Sequence, residues 1–351
     1  MKKSISLIFL LIPFIPCLVL ASFAGTTTKN GADTTAMSRA HKSPTGIIIV
    51  GEGSGVRALE PFRALPGAGL HYADAVNQYV REFGNVARVY CMVIPTAVEF
   101  YCPDTARVWT KEELPVINGI YGHLSDSVCA IDVHAVLGRH VAENIYARTD
   151  HHWLPLGAFY AAQEFARIAG VPFRGLDSYD THAVHNFVGT MYRFSKDISV
   201  KNAPEDFVYY KPRDVEYTAI AINYTLDRSR RRVVSETAPA VKPFFRTYAD
   251  GNGAAYCTFM GGDTNLTAVK TSTKNGRRLL VLKDSFGNAL PGYLFYSFEE
   301  IHVVDCRYFT KNMKQYVSDN GITDILFANN IAHACSARTS TSYNHYLTQK
   351  H

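Results

Sequence analysis

The sequence has little charge and none of the common metal-binding or redox motifs. Only 19% of its 351 residues are charged, and the formal net charge is +5, a weak basic balance for this length. The single dense basic run, RSRRR at residues 228–232, is typical of a solvated loop or hairpin, with contact to an anionic polymer as the alternative. Nothing else indicates nucleic acid, so no nucleic-acid partner is predicted.

Cysteine pairs of the C-x-x-C type are absent, as is the H-E-x-x-H motif. Zinc-ribbon, thioredoxin-like and zincin classes are therefore unsupported. There are also no internal repeats and no low-complexity tract. With 47% apolar residues, the composition suits one large globular domain, or one domain with a sizeable insertion.

The N-terminus predicts export. Two lysines precede the apolar run ISLIFLLIPFIPCLVL, which leads into the small residues ASFAG. This pattern is typical of a signal peptide, here residues 1–24 with cleavage after Ala24. The prolines and the small-residue exit argue against a permanent membrane helix. Residues 25–43 are small and polar and are expected to form a flexible leader.

Six cysteines remain after the predicted cleavage, and an even number in an exported chain permits disulfides. Cys91 and Cys102 are near enough in sequence to pair across a strand–loop unit. The sequence does not decide the connectivity.

Hydrophobic patterning predicts an α/β protein. The segments TGIIIVGEG (45–53) and VARVYCMVIPT (86–96) read as buried strands, and residues 72–84 between them have helical spacing. A strand, helix and strand of these lengths predict a right-handed crossover in a parallel sheet. LGAFYAAQEFARIAG (156–170) predicts an amphipathic helix.

Helical periodicity fades from about residue 176 to 275, where β-forming residues dominate. We expect a strand-rich insertion there. The α/β pattern then returns, with a strand, turn and helix in 277–298, a strand in 300–309, a helix in 313–321 and a last strand in 322–330.

Ser285 lies where the apolar strand 279–282 meets the predicted helix. Ligands bind at the carboxyl ends of strands in such sheets, and backbone N–H groups at a helix start can stabilise an oxyanion. The alternative is that Ser285 is only the N-cap of that helix, a common role for serine.

A nucleophilic serine needs a base and an orienting acid, and the stretch TDHHW (149–153) can supply both. Asp150 and His152 are two residues apart and can point the same way, with the carboxylate on Nδ1–H and Nε2 free for the serine proton. His151 would point elsewhere. The alternative is a metal site, whose candidate ligands are His134, His140, Asp150, His151 and His152; their spacing is loose.

The chain resembles the DHHW family, on the segments MVIPTAVEFY, IYARTDHHWLPLGA, LLVLKDSFGNALPGYL and VVDCRYF. It is more distantly similar to the SGNH-like domain of alginate and related exopolysaccharide O-acetyltransferases, which carry an Asp-x-His-Trp motif followed by a serine. The resemblance implies a parallel-sheet three-layer sandwich of SGNH-hydrolase type over residues 44–351. The motif order would be circularly permuted, since the acid–base pair precedes the serine strand.

By this resemblance Asp150 matches the orienting acid, His152 the general base and Ser285 the nucleophile. Asn330, or Asn329, is an oxyanion candidate by position. Lys283 departs from the pattern, because a glycine often precedes the Asp-Ser pair in SGNH hydrolases. Trp153, Tyr209 and Tyr210 could stack on sugars, with core packing as the alternative for each.

These features predict an exported O-acetyltransferase or acetylesterase, periplasmic or at the cell surface, with a polysaccharide substrate. The resemblance implies a membrane-bound O-acyltransferase as the partner that supplies acetyl groups. No metal or other cofactor is predicted. The alternative is a carbohydrate-binding or scaffold protein without turnover, for which Ser285 and His152 would lie well apart. Metal-dependent hydrolysis, the third hypothesis, predicts sensitivity to chelators.

Overall fold

The computed structural model describes residues 39–228 and 233–350. The predicted signal peptide therefore lies outside the described residues, as do most of the predicted leader and of the basic run. Within the described ranges, no helix has the length and apolar character that a membrane crossing needs.

Fifteen strands and ten α-helices occur in the part of the chain that the structure describes. The strands are β1 (Ala40–Lys42), β2 (Ile48–Val50), β3 (Arg57–Leu59), β4 (Arg88–Ile94), β5 (Val128–Ala130), β6 (Tyr179–Phe187), β7 (Glu205–Pro212), β8 (Tyr217–Ile222), β9 (Tyr224–Leu226), β10 (Val233–Glu236), β11 (Ala240–Val241), β12 (Leu266–Thr271), β13 (Arg278–Lys283), β14 (Glu300–Asp305) and β15 (Asp324–Asn330). The helices are α1 (Leu70–Phe83), α2 (Ala97–Tyr101), α3 (Leu114–Gly122), α4 (Val133–Gly138), α5 (Pro155–Ala169), α6 (Met191–Ser195), α7 (Ile198–Lys201), α8 (Met313–Asn320), α9 (Ile331–Ala334) and α10 (Ala337–Tyr346).

The architecture is mixed α/β around a large central sheet. Its eight strands run in the order β11-β8-β12-β14-β13-β15-β4-β5. Strands β14, β13, β15, β4 and β5 are mutually parallel, whereas β12, β8 and β11 continue the sheet in antiparallel pairing. The parallel strands are almost continuously apolar, as expected for strands that are buried on both faces.

Helices cover both faces of the parallel half. Phe327 of β15 contacts Tyr79 of α1 and Tyr343 of α10 edge to face. Tyr90 of the neighbouring strand packs against Phe165 of α5. Since Tyr90 pairs with Leu326, the residue before Phe327, it projects from the opposite face. This arrangement gives three layers, with β13, the strand that precedes Ser285, near the centre of the middle layer.

The predicted crossover at the N-terminal end is wrong in one element. Ile48–Val50 does not join the central sheet but lies in a separate three-stranded antiparallel sheet with β1 and β3. Strand β1, Ala40–Lys42, falls within the segment expected to be a flexible leader. The local pattern predicts a buried strand but contains no information on its partner, and here the partners are the adjacent segments.

The strand-rich stretch from about 176 to 275 contains β6 to β12 among its described residues. Strands β6 and β7 form a separate antiparallel ribbon, while β8, β11 and β12 extend the central sheet. The stretch therefore supplies three strands of the central sheet as well as a separate ribbon.

The disulfide suggested for Cys91 and Cys102 is not formed. Both residues are buried free thiols. Burial raises the pKa of each thiol above its ordinary value, so neither is activated as a thiolate.

Candidate functional site

Ser285 lies in a tight turn at the carboxyl end of β13. The expected helix after this strand is replaced by two short 3₁₀ turns, Ser285–Ala289 and Pro291–Tyr293. Asp284, and not Ser285, caps the first of them, because its carboxylate accepts the Phe286 N–H at 2.9 Å. The N-cap alternative for Ser285 is therefore wrong, and its hydroxyl is available for another partner.

Close packing fixes this turn. A Cβ atom at Gly287 would lie 2.4 Å from the Lys283 Cβ, so only glycine fits there. Asp284 also accepts the backbone N–H of Asn330 at 2.7 Å, which ties the turn to the end of the neighbouring strand β15.

The TDHHW stretch forms an irregular loop immediately before α5. Trp153 is fully buried and donates its indole N–H to the Phe286 carbonyl at 2.9 Å. Thr149 donates its N–H and its hydroxyl to Glu205 Oε1, each at 2.7 Å. The loop is thus held against the Ser285 turn on one side and against β7 on the other.

The structure brings Asp150, His152 and Ser285 together as the sequence predicts. His152 Nδ1 lies 2.6 Å from Asp150 Oδ1, and His152 Nε2 lies 2.8 Å from Ser285 Oγ. Asp150 and His152 are buried while Ser285 is half-buried. A carboxylate can only accept hydrogen bonds, so Nδ1 carries a proton and Nε2 of the neutral ring can accept the serine proton.

Asp150 is held as a carboxylate by its partners. Burial by itself would raise its pKa, but attraction to the protonated form of His152 and the hydrogen bond from the His152 ring outweigh burial and hold the pKa of this carboxyl well below its usual range. The second oxygen, Oδ2, accepts from the backbone N–H and the hydroxyl of Thr190, at 2.8 and 2.9 Å. A Cβ at Gly189 would lie 2.4 Å from Asp150 Oδ2, so glycine is needed for this approach.

The sequence-based prediction did not identify two residues of this site, Thr190 and Tyr256. The Tyr256 ring stacks on the His152 imidazole with centroids 3.8 Å apart and planes 7° apart, and its hydroxyl lies 2.9 Å from the carbonyl oxygens of Ser285 and Phe286. Both residues come from the strand-rich stretch, where no local motif marks them.

Lys283, the departure from the family pattern, has a structural explanation. It is fully buried, with Nζ 2.8 Å from Asp305 Oδ2 and 3.6 Å from Asp263 Oδ1. Burial lowers its pKa, but these two carboxylates outweigh burial and raise the pKa above its ordinary value. Arg307 binds the same two carboxylates. The lysine thus belongs to a closed ion cluster behind the Ser285 turn.

The oxyanion candidates make other contacts. Asn329 is fully buried and accepts from the Tyr72 and Tyr343 hydroxyls at 2.8 Å each. The Asn330 side-chain oxygen caps α9 by accepting the His333 N–H at 3.0 Å, and its amide nitrogen lies 3.4 Å from Asp284 Oδ1. An oxyanion role for Asn330 stays a prediction.

The five candidate metal ligands do not converge on one point. Asp150, His151 and His152 offer ligand atoms within 4.8 Å of one another. His134 and His140 are bound instead to Glu99 and Glu143, at 3.0 and 2.6 Å.

Of the aromatic residues considered for sugar stacking, Trp153 and Tyr209 are buried, which fits core packing, and Tyr210 is half-buried.

The fold and this hydrogen-bonded trio define an α/β protein with a serine at the carboxyl end of a central parallel strand. A family model described as DHHW protein matches residues 36–304, and the chain belongs to the DHHW family. A search of curated proteins finds no match.

The solved structures that are similar to this chain include a family member and two others. A DHHW family protein from Eubacterium siraeum has 35% identity and a TM-score of 0.78, and the match covers 89% of this chain and 98% of that one. Bacillus cereus PatB1 with a sulfonyl adduct has 18% identity and a TM-score of 0.64, with 84% and 97% covered. The O-acetyltransferase domain of Pseudomonas putida AlgJ has 12% identity and a TM-score of 0.45, with 85% and 99% covered.

Proposed function

We propose that this protein is an acyl-transfer enzyme, an O-acetyltransferase or acetylesterase, that uses Ser285 as nucleophile, His152 as general base and Asp150 as orienting acid. The observation that carries the proposal is the 2.8 Å separation between His152 Nε2 and Ser285 Oγ, with Asp150 on the far side of the imidazole. This is the distance at which a base can take a proton from a nucleophile. It favours the enzyme over the scaffold alternative.

The reaction has two halves. Ser285 Oγ attacks the carbonyl carbon of an acyl donor while its proton passes to His152 Nε2. The donor's leaving group departs with that proton, and an acyl ester remains on Ser285. In the second half, a hydroxyl attacks the ester carbonyl, its proton passes to Nε2, and Ser285 Oγ leaves and recovers the proton. A sugar hydroxyl gives transfer, and water gives hydrolysis.

The tetrahedral intermediate needs hydrogen-bond donors for its oxyanion. The N–H groups of Phe286 and Gly287 already donate to the side chain and the carbonyl of Asp284. We assign the Ser285 N–H to the oxyanion, with the Asn330 amide as a second donor after a side-chain movement. The amide nitrogen would leave its contacts with Asp284 Oδ1 at 3.4 Å and His333 Nδ1 at 3.3 Å, and hydrogen bonds of these lengths are weak.

The acyl acceptor in this proposal is a polysaccharide of the cell envelope or a secreted one. The protein would be exported after cleavage of the signal peptide 1–24, and residues 44–351 would form one SGNH-like domain of permuted motif order. A membrane-bound O-acyltransferase would supply the acetyl groups. These assignments extend the family resemblance, and the geometry of Ser285 supports only the acyl chemistry.

Covalent labelling tests the proposal. The mature protein is treated with a sulfonyl fluoride, and its intact mass is measured beside Ser285→Ala and His152→Ala, each with and without EDTA. We expect a single adduct on the wild type, none on either variant, and no effect of EDTA.

Two results would contradict the triad. An adduct that is indifferent to both substitutions, or no adduct at all, would favour the scaffold protein. Labelling that EDTA suppresses would favour the metal site at Asp150, His151 and His152.

A further inference from the structure

His151 lies beside the general base and has no role in the proton transfers described above. Its ring centroid is 3.7 Å from that of His152. The side chain is 25% exposed, and its ring lies alongside that of His152, whose Nε2 faces Ser285 Oγ. Its Nδ1 lies 2.7 Å from the Thr190 hydroxyl oxygen.

The hydrogen bonds around Thr190 determine which nitrogen of His151 carries the proton. Asp150 Oδ2 can only accept, so the single hydroxyl hydrogen of Thr190 is donated to it over 2.9 Å. The same hydroxyl oxygen must then accept from His151 over 2.7 Å. Nδ1 of His151 is therefore protonated, and Nε2 of the neutral ring has a free lone pair.

The ring is neutral under ordinary conditions. Burial, followed by repulsion from the protonated form of His152, lowers the pKa of His151 to about 4. At neutral pH its Nε2 is thus a hydrogen-bond acceptor, and within the described residues it has no hydrogen-bond donor of its own.

A fixed acceptor beside the base suits a substrate with two hydroxyls. The attacking hydroxyl gives its proton to His152 Nε2 and bonds to the acyl carbon. A hydroxyl on the adjacent carbon is close enough to donate to an atom of the neighbouring ring. We propose that His151 Nε2 binds this second hydroxyl, so that the site selects acyl acceptors with vicinal hydroxyls, as on sugar rings. The inference rests on the proposed function, because it needs an acyl-enzyme at Ser285.

The test compares two acceptors that differ by one hydroxyl. The enzyme is acetylated with p-nitrophenyl acetate in the presence of cyclohexanol or cis-1,2-cyclohexanediol. The ratio of acetylated alcohol to acetate is measured for each acceptor and is divided by two for the diol. Because the ratio is taken within each variant after acylation, a slower acylation does not change it.

Two substitutions at His151 distinguish the contributions of its two ring nitrogens. Asn places a donor near the position of Nδ1 but nothing at Nε2, while Gln reaches the position of Nε2 and retains an acceptor there. We expect wild type to prefer the diol by about fivefold, within the range for one neutral hydrogen bond. His151→Asn should remove the preference and His151→Gln should keep most of it.

Each other outcome has a distinct meaning. Turnover of p-nitrophenyl acetate by wild type but not by Ser285→Ala, without a diol preference, overturns this inference and leaves the proposed function intact, as does a preference that survives in His151→Asn. Turnover of p-nitrophenyl acetate by wild type no faster than by Ser285→Ala overturns the proposed function and this inference with it.

Discussion

Two carboxylate–histidine pairs in this molecule look alike and differ in what lies beyond the histidine. Asp150 and His152 lead to the Ser285 hydroxyl. Glu99 and His134, with 3.0 Å between Oε1 and Nε2, lie instead in α2, which follows β4, and in α4. Within the described ranges, no hydroxyl or thiol side chain hydrogen-bonds to His134, whose ring packs against Phe100.

The difference shows that an acid and a histidine in contact do not make a reactive site. The second oxygen of Glu99, Oε2, accepts the Glu113 backbone N–H at 2.8 Å. The pair therefore links α2 to the start of α3. What separates the two pairs is a nucleophile at the carboxyl end of a neighbouring parallel strand. The matched substitutions below exploit this difference.

The largest effect is expected from removal of the nucleophile or the base. Ser285→Ala and His152→Ala should each lower kcat for ester hydrolysis by roughly 10⁵-fold or more, as in other serine triads. His134→Ala, the matched control, should change kcat by less than about threefold. The rate of p-nitrophenyl acetate hydrolysis measures all three, and a comparable loss in His134→Ala would erase the distinction between the pairs.

Removal of the acid should have the next largest effect. In Asp150→Asn the amide can donate to His152 Nδ1, which moves the ring proton to Nε2 and blocks proton transfer from Ser285. We expect kcat to fall by about 10⁴-fold. Glu99→Gln makes the same change in the other pair, and less than about threefold is expected. Steady-state kinetics on both variants decide the point, since an active Asp150→Asn enzyme would mean that Asp150 does not orient the base.

The sequence predicts the reactive trio because its members lie in short motifs. TDHHW is contiguous, and KDSFG follows an apolar strand, so local spacing together with the family resemblance suffices. Thr190 and Tyr256 have no such signal, because their contacts with Asp150 and His152 join segments about 40 and 100 residues apart. The dependence on contacts between distant segments also explains the error in the predicted fold. The strand pattern of 48–50 is correct, but which sheet it joins depends on contacts that hydrophobic periodicity does not encode.

Tyr256 is expected to act as a positioning residue. Its ring covers one face of His152, so Tyr256→Leu should let the imidazole rotate and lower kcat by about 10- to 100-fold with little change in KM. Tyr256→Phe keeps the stacked ring and loses only the hydroxyl contact with the two carbonyl groups, so about threefold is expected. Equal losses in both variants would assign the effect to the hydroxyl. Kinetics of the two variants against p-nitrophenyl acetate distinguish these cases.

The last contrast concerns stability rather than turnover and compares two buried carboxyl groups. The pKa of Asp150 is lowered because His152 outweighs burial. Glu113 is equally buried, but its hydrogen bonds with Thr96 do not outweigh burial, which raises its pKa to about 8. The folded protein therefore holds this proton between the ordinary pKa of about 4.3 and about 8, while the unfolded chain has lost it.

The sign follows from proton binding. Because the folded state binds more protons than the unfolded state in this window, the contribution of Glu113 to stability is fully present below about pH 4 and is lost as the pH rises to about 8. The slope is about 1.4 kcal/mol per pH unit. Glu113→Gln mimics the protonated acid, since its amide can donate to the Thr96 hydroxyl and its oxygen can accept the Thr96 N–H. The free energy of unfolding of the variant relative to wild type should therefore increase from pH 5 to pH 8 in urea titrations. A difference that is flat with pH would mean that Glu113 is charged in the fold, and the contrast with Asp150 would then be lost.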